Sequence, residues 1–477
     1  MRRAFHVMIL VGWFLGGAQN VVRGDGREKE SSEQRYIKVS VKNKPTDKNW
    51  KLRDTRTIEL LPNFQPGVKT IQYSKYGGRA DAKALATGYF YPKKVADRWW
   101  LVDPAGNLFI HVGVCAVYRG KSVMSRKPAV EKFGTWTKWA EFSTSLLAEY
   151  GFNGTGGWSE ADLLRAAPRP LVYTLSWSFM GSFGRAKNLV WQEPGHLGYP
   201  NRCIPVFHPD FETFCDDYAK HLSATKDDPW LVGHFSDNEL PIVIDMLDRS
   251  LALDVTNPDL RHGYEAARQW FNKTKGKAAG PNDITDADRQ AFLTYAVETY
   301  FRITTNAIRK YDANHLCLGP RLHGKALGLP NIFRTAGKYL DVIAVNCYGA
   351  WGPNTERMAM WIRESGRPFM ITEFYAKGQD SGLPNNTGAG WLVETQKDRG
   401  RFYQHFTLGL LESKSCVGWH WFKYRDNNPQ DLSTDPSNRD SNKGIVDYRY
   451  EPYLPLLKDM NGLNSQVYNL IDYFDSK

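Results

Sequence analysis

The sequence predicts an α/β fold, a (β/α)8 barrel of the TIM type with a short β-rich N-terminal extension. Three observations lead there. Eight short apolar runs recur along the 477 residues, most are followed by a helical stripe, and two end on a glutamate. Runs apolar at nearly every position suit strands buried on both faces, as in a parallel sheet. Strand followed by helix, eight times over, closes into a barrel, and barrels with insertions exceed ~400 residues as one unit.

The runs are Leu108–Val117, Gly151–Trp158, Pro170–Trp177, Trp230–Asn238, Cys317–His323, Asp341–Tyr348, Pro368–Tyr375 and Cys416–Tyr424. Between them, Trp136, Trp139, Phe142, Leu146 and Tyr150 form one helical stripe. Phe211, Phe214, Cys215, Tyr218 and Leu222 form another, behind Pro209, which suits a first turn. Thr285 and Asp288 have capping-box spacing ahead of Phe292, Tyr295, Thr299, Ile303 and Ala307, and Met460, Leu463, Val467, Leu470 and Phe474 mark a last helix. Leu251–Asp283 reads as an inserted excursion, and the polar stretch Asn427–Lys443 as a loop shaping a groove at the barrel's C-terminal face.

Ahead of the barrel, Arg2 and Arg3, the apolar stretch Val7–Phe14 and the small residues Gly16, Gly17 and Ala18 read as an export signal over residues 1–18. Residues 19–50 are expected as a flexible leader and 51–90 as a small β-like extension, with Thr57–Leu61 and Thr70–Tyr73 its strand-like pieces. Residues 91–477 then form the barrel. A secreted or periplasmic protein follows, with no membrane span once the signal is removed. The formal charge of +11 suits an anionic partner, but no Lys/Arg block or nucleic-acid motif accompanies it, so nucleic acid is not expected. Six cysteines without a C-x-x-C pair argue against structural zinc, and a Cys203–Cys215 bridge stays open.

The chemistry concentrates at two strand ends. Asp237-Asn238-Glu239 closes the fourth run and Ile371-Thr372-Glu373-Phe374-Tyr375 the seventh. C-terminal strand ends form the reaction cup of such a barrel, so these glutamates can face each other across one sugar. A retaining glycosidase uses such a pair about 5–5.5 Å apart, one as acid/base and one as nucleophile. Glu239 is the expected acid/base and Glu373 the nucleophile, with Asn238 reaching the sugar 2-hydroxyl. Tyr348 either holds the Glu373 carboxylate or is a rim aromatic. Trp419 and Trp421 end the eighth run, where an indole can floor the sugar. Arg321, His323, Asn153 and Trp158 complete the candidate substrate contacts. No metal or other cofactor is expected: the first strand carries His111 alone rather than His-x-His, and His111 and His234 read as satisfied barrel histidines. Sixteen tryptophans suit a carbohydrate cleft, though aromatic residues also fill ordinary cores.

Several segments resemble the β-agarases of glycoside hydrolase family 50. They are Asp97-Arg98-Trp99-Trp100-Leu101-Val102-Asp103-Pro104, Asp228-Pro229-Trp230-Leu231, Asp237-Asn238-Glu239-Leu240-Pro241 and Ile371 through Gly378. Ser381-Gly382-Leu383-Pro384, Gly388-Ala389-Gly390-Trp391, Gly418-Trp419-His420-Trp421-Phe422 and Asp440-Ser441-Asn442-Lys443-Gly444 belong to the same set. The resemblance covers roughly residues 85–477. It implies a retaining barrel enzyme that cuts β-1,4-galactosidic linkages in agar-type galactans without a metal, with acid/base and nucleophile falling on Glu239 and Glu373. Many members carry a large N-terminal carbohydrate-binding region, for which this sequence leaves little room. Two alternatives stand beside this expectation: the same chemistry on another β-galactan or related glycan, sulfated or not, or a sugar-binding barrel without catalysis.

Overall fold

The computed structural model describes residues 35–67 and 69–477. The expected export signal, and the leader as far as residue 34, lie outside the described residues. Eight parallel strands carry the fold: β1 His111–Val114, β2 Gly154–Thr155, β3 Val172–Ser176, β4 Leu231–Phe235, β5 Leu316–Gly319, β6 Ile343–Asn346, β7 Phe369–Phe374 and β8 Cys416–Trp421. Their order in the sheet is β5-β4-β3-β2-β1-β8-β7-β6. Beyond the end of β5, Leu322 bridges Val345 of β6, donating its N–H to the Ala344 carbonyl at 2.9 Å and accepting from Asn346 N–H at 2.8 Å. That bridge joins the two ends of the sheet, and the predicted barrel is the observed one.

The interior is packed by Phe109, Val172, Val232, Phe235, Leu316, Leu318, Val342, Ala344, Met370 and Val417, with Tyr76 and Phe90 joining from the N-terminal segment. The wall is thin at β2: a Cβ on Gly154 would lie 1.9 Å from His111 Nε2, and one on Gly156 2.6 Å from His420 Nδ1. The imidazoles of His111 and His420 meet there at 3.1 Å. His234 is satisfied by Trp177 and Asp312, but His111 is not: its Nε2 has no partner among the described residues. Burial pushes the His111 imidazole down to about 3, so the pair is held neutral.

The N-terminal region departs from expectation. Ile37–Lys42, inside the segment expected to be a flexible leader, is a strand whose alternating apolar side chains bury Val39 and Val41. It pairs with Lys51–Thr55 and, through Trp391–Val393, with Ala376–Gly378, so a four-stranded sheet braces the chain just after β7. Thr57–Leu61 is not a strand but holds a single 3-10 turn over Ile58–Leu60, and Thr70–Tyr73 contributes only an isolated Tyr73–Arg79 bridge. A second antiparallel sheet of Arg79–Lys83, Tyr91–Val95, Arg98–Val102 and Asn107–Phe109 runs past the boundary expected at residue 90.

Helices match the stripes with one exception. Trp136–Glu149 and Phe211–Ala219 form, and Thr285 caps Asp286–Tyr311 in a reciprocal box with Asp288. The single last helix is instead two, Leu454–Asn464 and Val467–Asp475, broken at Ser465–Gln466. The second anchors the lower sheet, because buried Arg98 grips Asp475 at 2.7 Å and Arg79 grips Asp472 at 2.6 Å. All six cysteines are free thiols, so Cys203 and Cys215 are not bridged. Among the described residues no helix is long and apolar enough to cross a membrane.

Candidate active site

Beyond Phe235 the chain leaves β4 and is fixed by Asp237, whose buried carboxylate accepts from Met180 N–H at 3.0 Å, Gly181 N–H at 3.2 Å and the Tyr300 hydroxyl at 2.7 Å. Those bonds oppose a burial that pushes Asp237 up to about 6. Glu239 follows in the left-handed region, φ 52°, its N–H bound to the Pro320 carbonyl. Trp158 (φ 67°), past β2, and Arg321 (φ 50°), past β5, share that strained conformation. Residues other than glycine persist there only when the surroundings over-determine them, and such residues gather at functional sites.

β6 delivers the link between the two glutamates. Asn346 Nδ2 donates to Glu239 Oε1 at 2.8 Å and to Asn238 Oδ1 at 3.3 Å, while its Oδ1 accepts from the Thr372 hydroxyl at 2.7 Å. Thr372 precedes Glu373, which is 5 % exposed and pairs in register with Asn346. The Glu373 carboxylate is clamped twice, by the hydroxyl of Tyr348 and by Arg321 Nη2 at 2.5 Å from Oε1. Arg321 is sealed from solvent. It also donates to the Thr372 carbonyl at 3.0 Å and lies between the rings of Trp158 and Phe235, at 5.6 and 5.4 Å.

The two carboxyls therefore stand in different environments. Glu239 has one neutral amide donor and no cation in contact; burial, and next the charge on Glu373, push it up to about 7. Glu373 has a guanidinium and a phenol. Lys443 completes the local field, its ammonium 4.6 Å from the Tyr375 ring and 5.4 Å from the Phe422 ring. Burial lowers Lys443 to about 8, against the opposing pull of Glu373.

Several expected substrate contacts are elsewhere. Trp419 and Trp421 both point out of the barrel wall: Trp419 Nε1–H donates to the Tyr403 hydroxyl, and Trp421 Nε1–H to the Lys443 carbonyl, each indole fully buried against the helix layer. The aromatic that β8 leaves beside Tyr375 and Lys443 is Phe422. Asn153 lies before β2, where its amide ties the Ile110 carbonyl and the Val112 N–H across β1, a wall contact rather than a cup contact. Arg321 lies beneath the nucleophile candidate and has no free surface for a sugar. Trp158, 41 % exposed, and His323, half-buried 6.1 Å from the His196 ring, do sit on the chain just past their strand ends. Asn346, Asp237, Phe422 and Lys443 were missed; the first two are polar residues closing apolar runs, a signal that was present.

Among the described residues one trio has the proximity to hold a metal, His234, Asp312 and His315. Asp312 accepts from both rings at 2.8 Å, and the other ring nitrogens face Trp177 Nε1 at 3.0 Å and the Asp228 carbonyl at 2.9 Å. Every ligand atom is occupied by a hydrogen bond, so the trio ties β4 to the chain entering β5.

An eight-stranded barrel with opposed carboxyls from β4 and β7 at the same end defines the class, the barrel glycoside hydrolases. No protein-family model matches the chain. The crystal structure of BpGH50 does, at 33 % identity and a TM-score of 0.79, over 92 % of this chain and 96 % of that one. The chain belongs to glycoside hydrolase family 50. β-Agarase B of Vibrio sp. (strain JT0107) is 25 % identical over 83 % of this chain, and β-agarase A of the same organism 24 % identical over 82 %. The chain spans about half the length of these two curated relatives, 50 % and 48 %.

Proposed function

We propose that the protein is a secreted hydrolase of β-1,4-galactosidic linkages in agar-type galactans, working by double displacement with retention of anomeric configuration. The observation that carries this reading is the unequal treatment of the two glutamates: Glu373 held by Arg321 and Tyr348, Glu239 desolvated beside an amide. A carboxylate gripped by a guanidinium is placed to serve as nucleophile; a desolvated one raised to about 7 still carries a proton to give. Agar as the polymer is supported by the agarase relatives, and secretion by the Arg2-Arg3 and Val7–Phe14 pattern.

In the first step a Glu373 oxygen attacks the anomeric carbon while Glu239 gives its proton to the departing glycosidic oxygen, leaving a galactosyl ester on Glu373. In the second, Glu239, now a carboxylate, takes a proton from a water that attacks the same carbon, and Glu373 departs. Asn346 bonds Glu239 in both states and Tyr348 steadies the nucleophile. Two outcomes test this. Agarose incubated with the enzyme releases reducing ends, and proton NMR of the first product shows the β-anomer before mutarotation; an α-anomer first would mean inversion. Because Glu239 acts as an acid only while protonated, kcat/KM falls as pH rises through about 7. A profile flat from pH 6 to about 9 would remove Glu239 from that role.

A further inference from the structure

Lys423 is a buried charge just past β8 that the proposed mechanism does not use. It follows the end of β8 by two residues, and its N–H donates to the Lys443 carbonyl at 3.0 Å, which sets the two lysines on adjacent strands of backbone. The next side chain, Tyr424, turns out to Ser143 in the helix layer at 2.9 Å. Lys423 is 2 % exposed, yet among the described residues its ammonium has neither a hydrogen bond nor an ion pair, and it is not one of the unpartnered polar atoms sealed from solvent. The ammonium therefore keeps a small solvent-facing surface. Buried ammonium groups are as a rule paired, because an unpaired charge in a desolvated site is costly.

The charged neighbours do not supply the pair. Asp426 is saturated by Asn442 Nδ2, Lys443 N–H, Gly444 N–H and the Tyr453 hydroxyl. Asp435 accepts from Gly195 N–H, Gln192 Nε2 and Ser437 N–H. Arg425 and Lys443 add positive charge, and the Lys443 ammonium is committed to the Ser437 carbonyl at 2.9 Å and Asn438 Oδ1 at 2.6 Å. Lys443 in turn lies in the field of Glu239 and Glu373, so it links Lys423 to the two carboxyls.

We infer that Lys423, backed by Lys443, forms a subsite for an anionic substituent, a sulfate ester or a carboxylate, on a sugar next to the bond being cut. This rests on the reading of the cup as a galactan site and gives charged chains the preference among its substrates. The fit is chemical: an ammonium with free donors in a partly desolvated site binds an oxyanion by charge-assisted hydrogen bonds, which a neutral hydroxyl matches poorly. Burial pushes Lys423 down to about 7, with Lys443 the next cause, and an arriving anion restores its charge.

The test compares kcat/KM for matched galactan oligosaccharides that are neutral, sulfated or carboxylated. The wild type should favour one charged member by about tenfold or more, the preference should shrink in high salt, and Lys423→Met should bring the ratio near one while Lys423→Arg keeps it. Which charged member gains tells sulfate from carboxylate. Equal rates on all three, or a preference unmoved by salt or by Lys423→Met, overturns the subsite and leaves the galactanase reading standing. Should Lys423→Met not fold, the wild-type ratio at low and high salt decides alone. Hydrolysis of none of the three overturns the galactanase reading and the subsite with it.

Discussion

Glu373→Gln is expected to lower kcat by at least about 10⁴-fold on every substrate, with the fold intact. The amide is isosteric and its oxygen can still accept from Arg321, with its NH2 turned to the Tyr348 oxygen, but it carries no charge with which to form the glycosyl ester. Glu239→Gln should behave differently. On a polymer, whose leaving group is a sugar alkoxide, it should cost about 10²–10⁴-fold; on an aryl galactoside, whose phenolate needs little protonation, the first step should be nearly spared. Steady-state kinetics on both substrates, with circular dichroism to confirm folding, separates the roles. Near-normal activity in either variant on agarose removes that residue from the mechanism, and equal losses on both substrates for Glu239→Gln remove its assignment as the acid.

Arg321→Met is expected to reduce kcat by about 10²-fold or more and to destabilise the fold by about 3 kcal/mol, because removing one partner of a buried ion pair leaves the other uncompensated. The 2.5 Å contact to Glu373 makes Arg321 a positioning residue: it touches the carboxylate and the Thr372 carbonyl, not the substrate. A double-mutant cycle distinguishes this from mere packing. In the Glu373→Gln background the stability cost of Arg321→Met, read from urea denaturation, should shrink, since no buried carboxylate then awaits a cation. An unchanged cost would show that Arg321 serves only the wall between Trp158 and Phe235.

These two predictions rest on contacts of very different legibility. Glu239 and Glu373 stand out in sequence because each closes an apolar run, where a carboxylate is out of place unless used. Arg321 also closes a run, and was read as a substrate contact for that reason; nothing in its sequence neighbourhood says that its guanidinium turns beneath the seventh strand. Tyr348 had two readings from sequence, and the structure places its hydroxyl on Glu373. Asn346 went unnoticed although it joins both carboxyl regions, since its partners are 107 and 26 positions away.

What the sequence by itself determined was the eight strands of the barrel, most of the helices between them and the end of the barrel at which chemistry can occur. Those follow from short-range physics: runs of apolar residues, helical spacing, and a capping box at Thr285. Tertiary structure alone decided which way each side chain faces and whom it meets. A strand apolar on both faces carries no mark of inside and outside, so Trp419 and Trp421 offered themselves as a sugar floor yet pack against Tyr403 and Phe374 behind the wall. The N-terminal hairpin of Ile37–Lys42 and Lys51–Thr55 likewise joins a larger sheet because Trp391–Val393 supplies an edge, a partner some 350 residues onward that no local pattern announces.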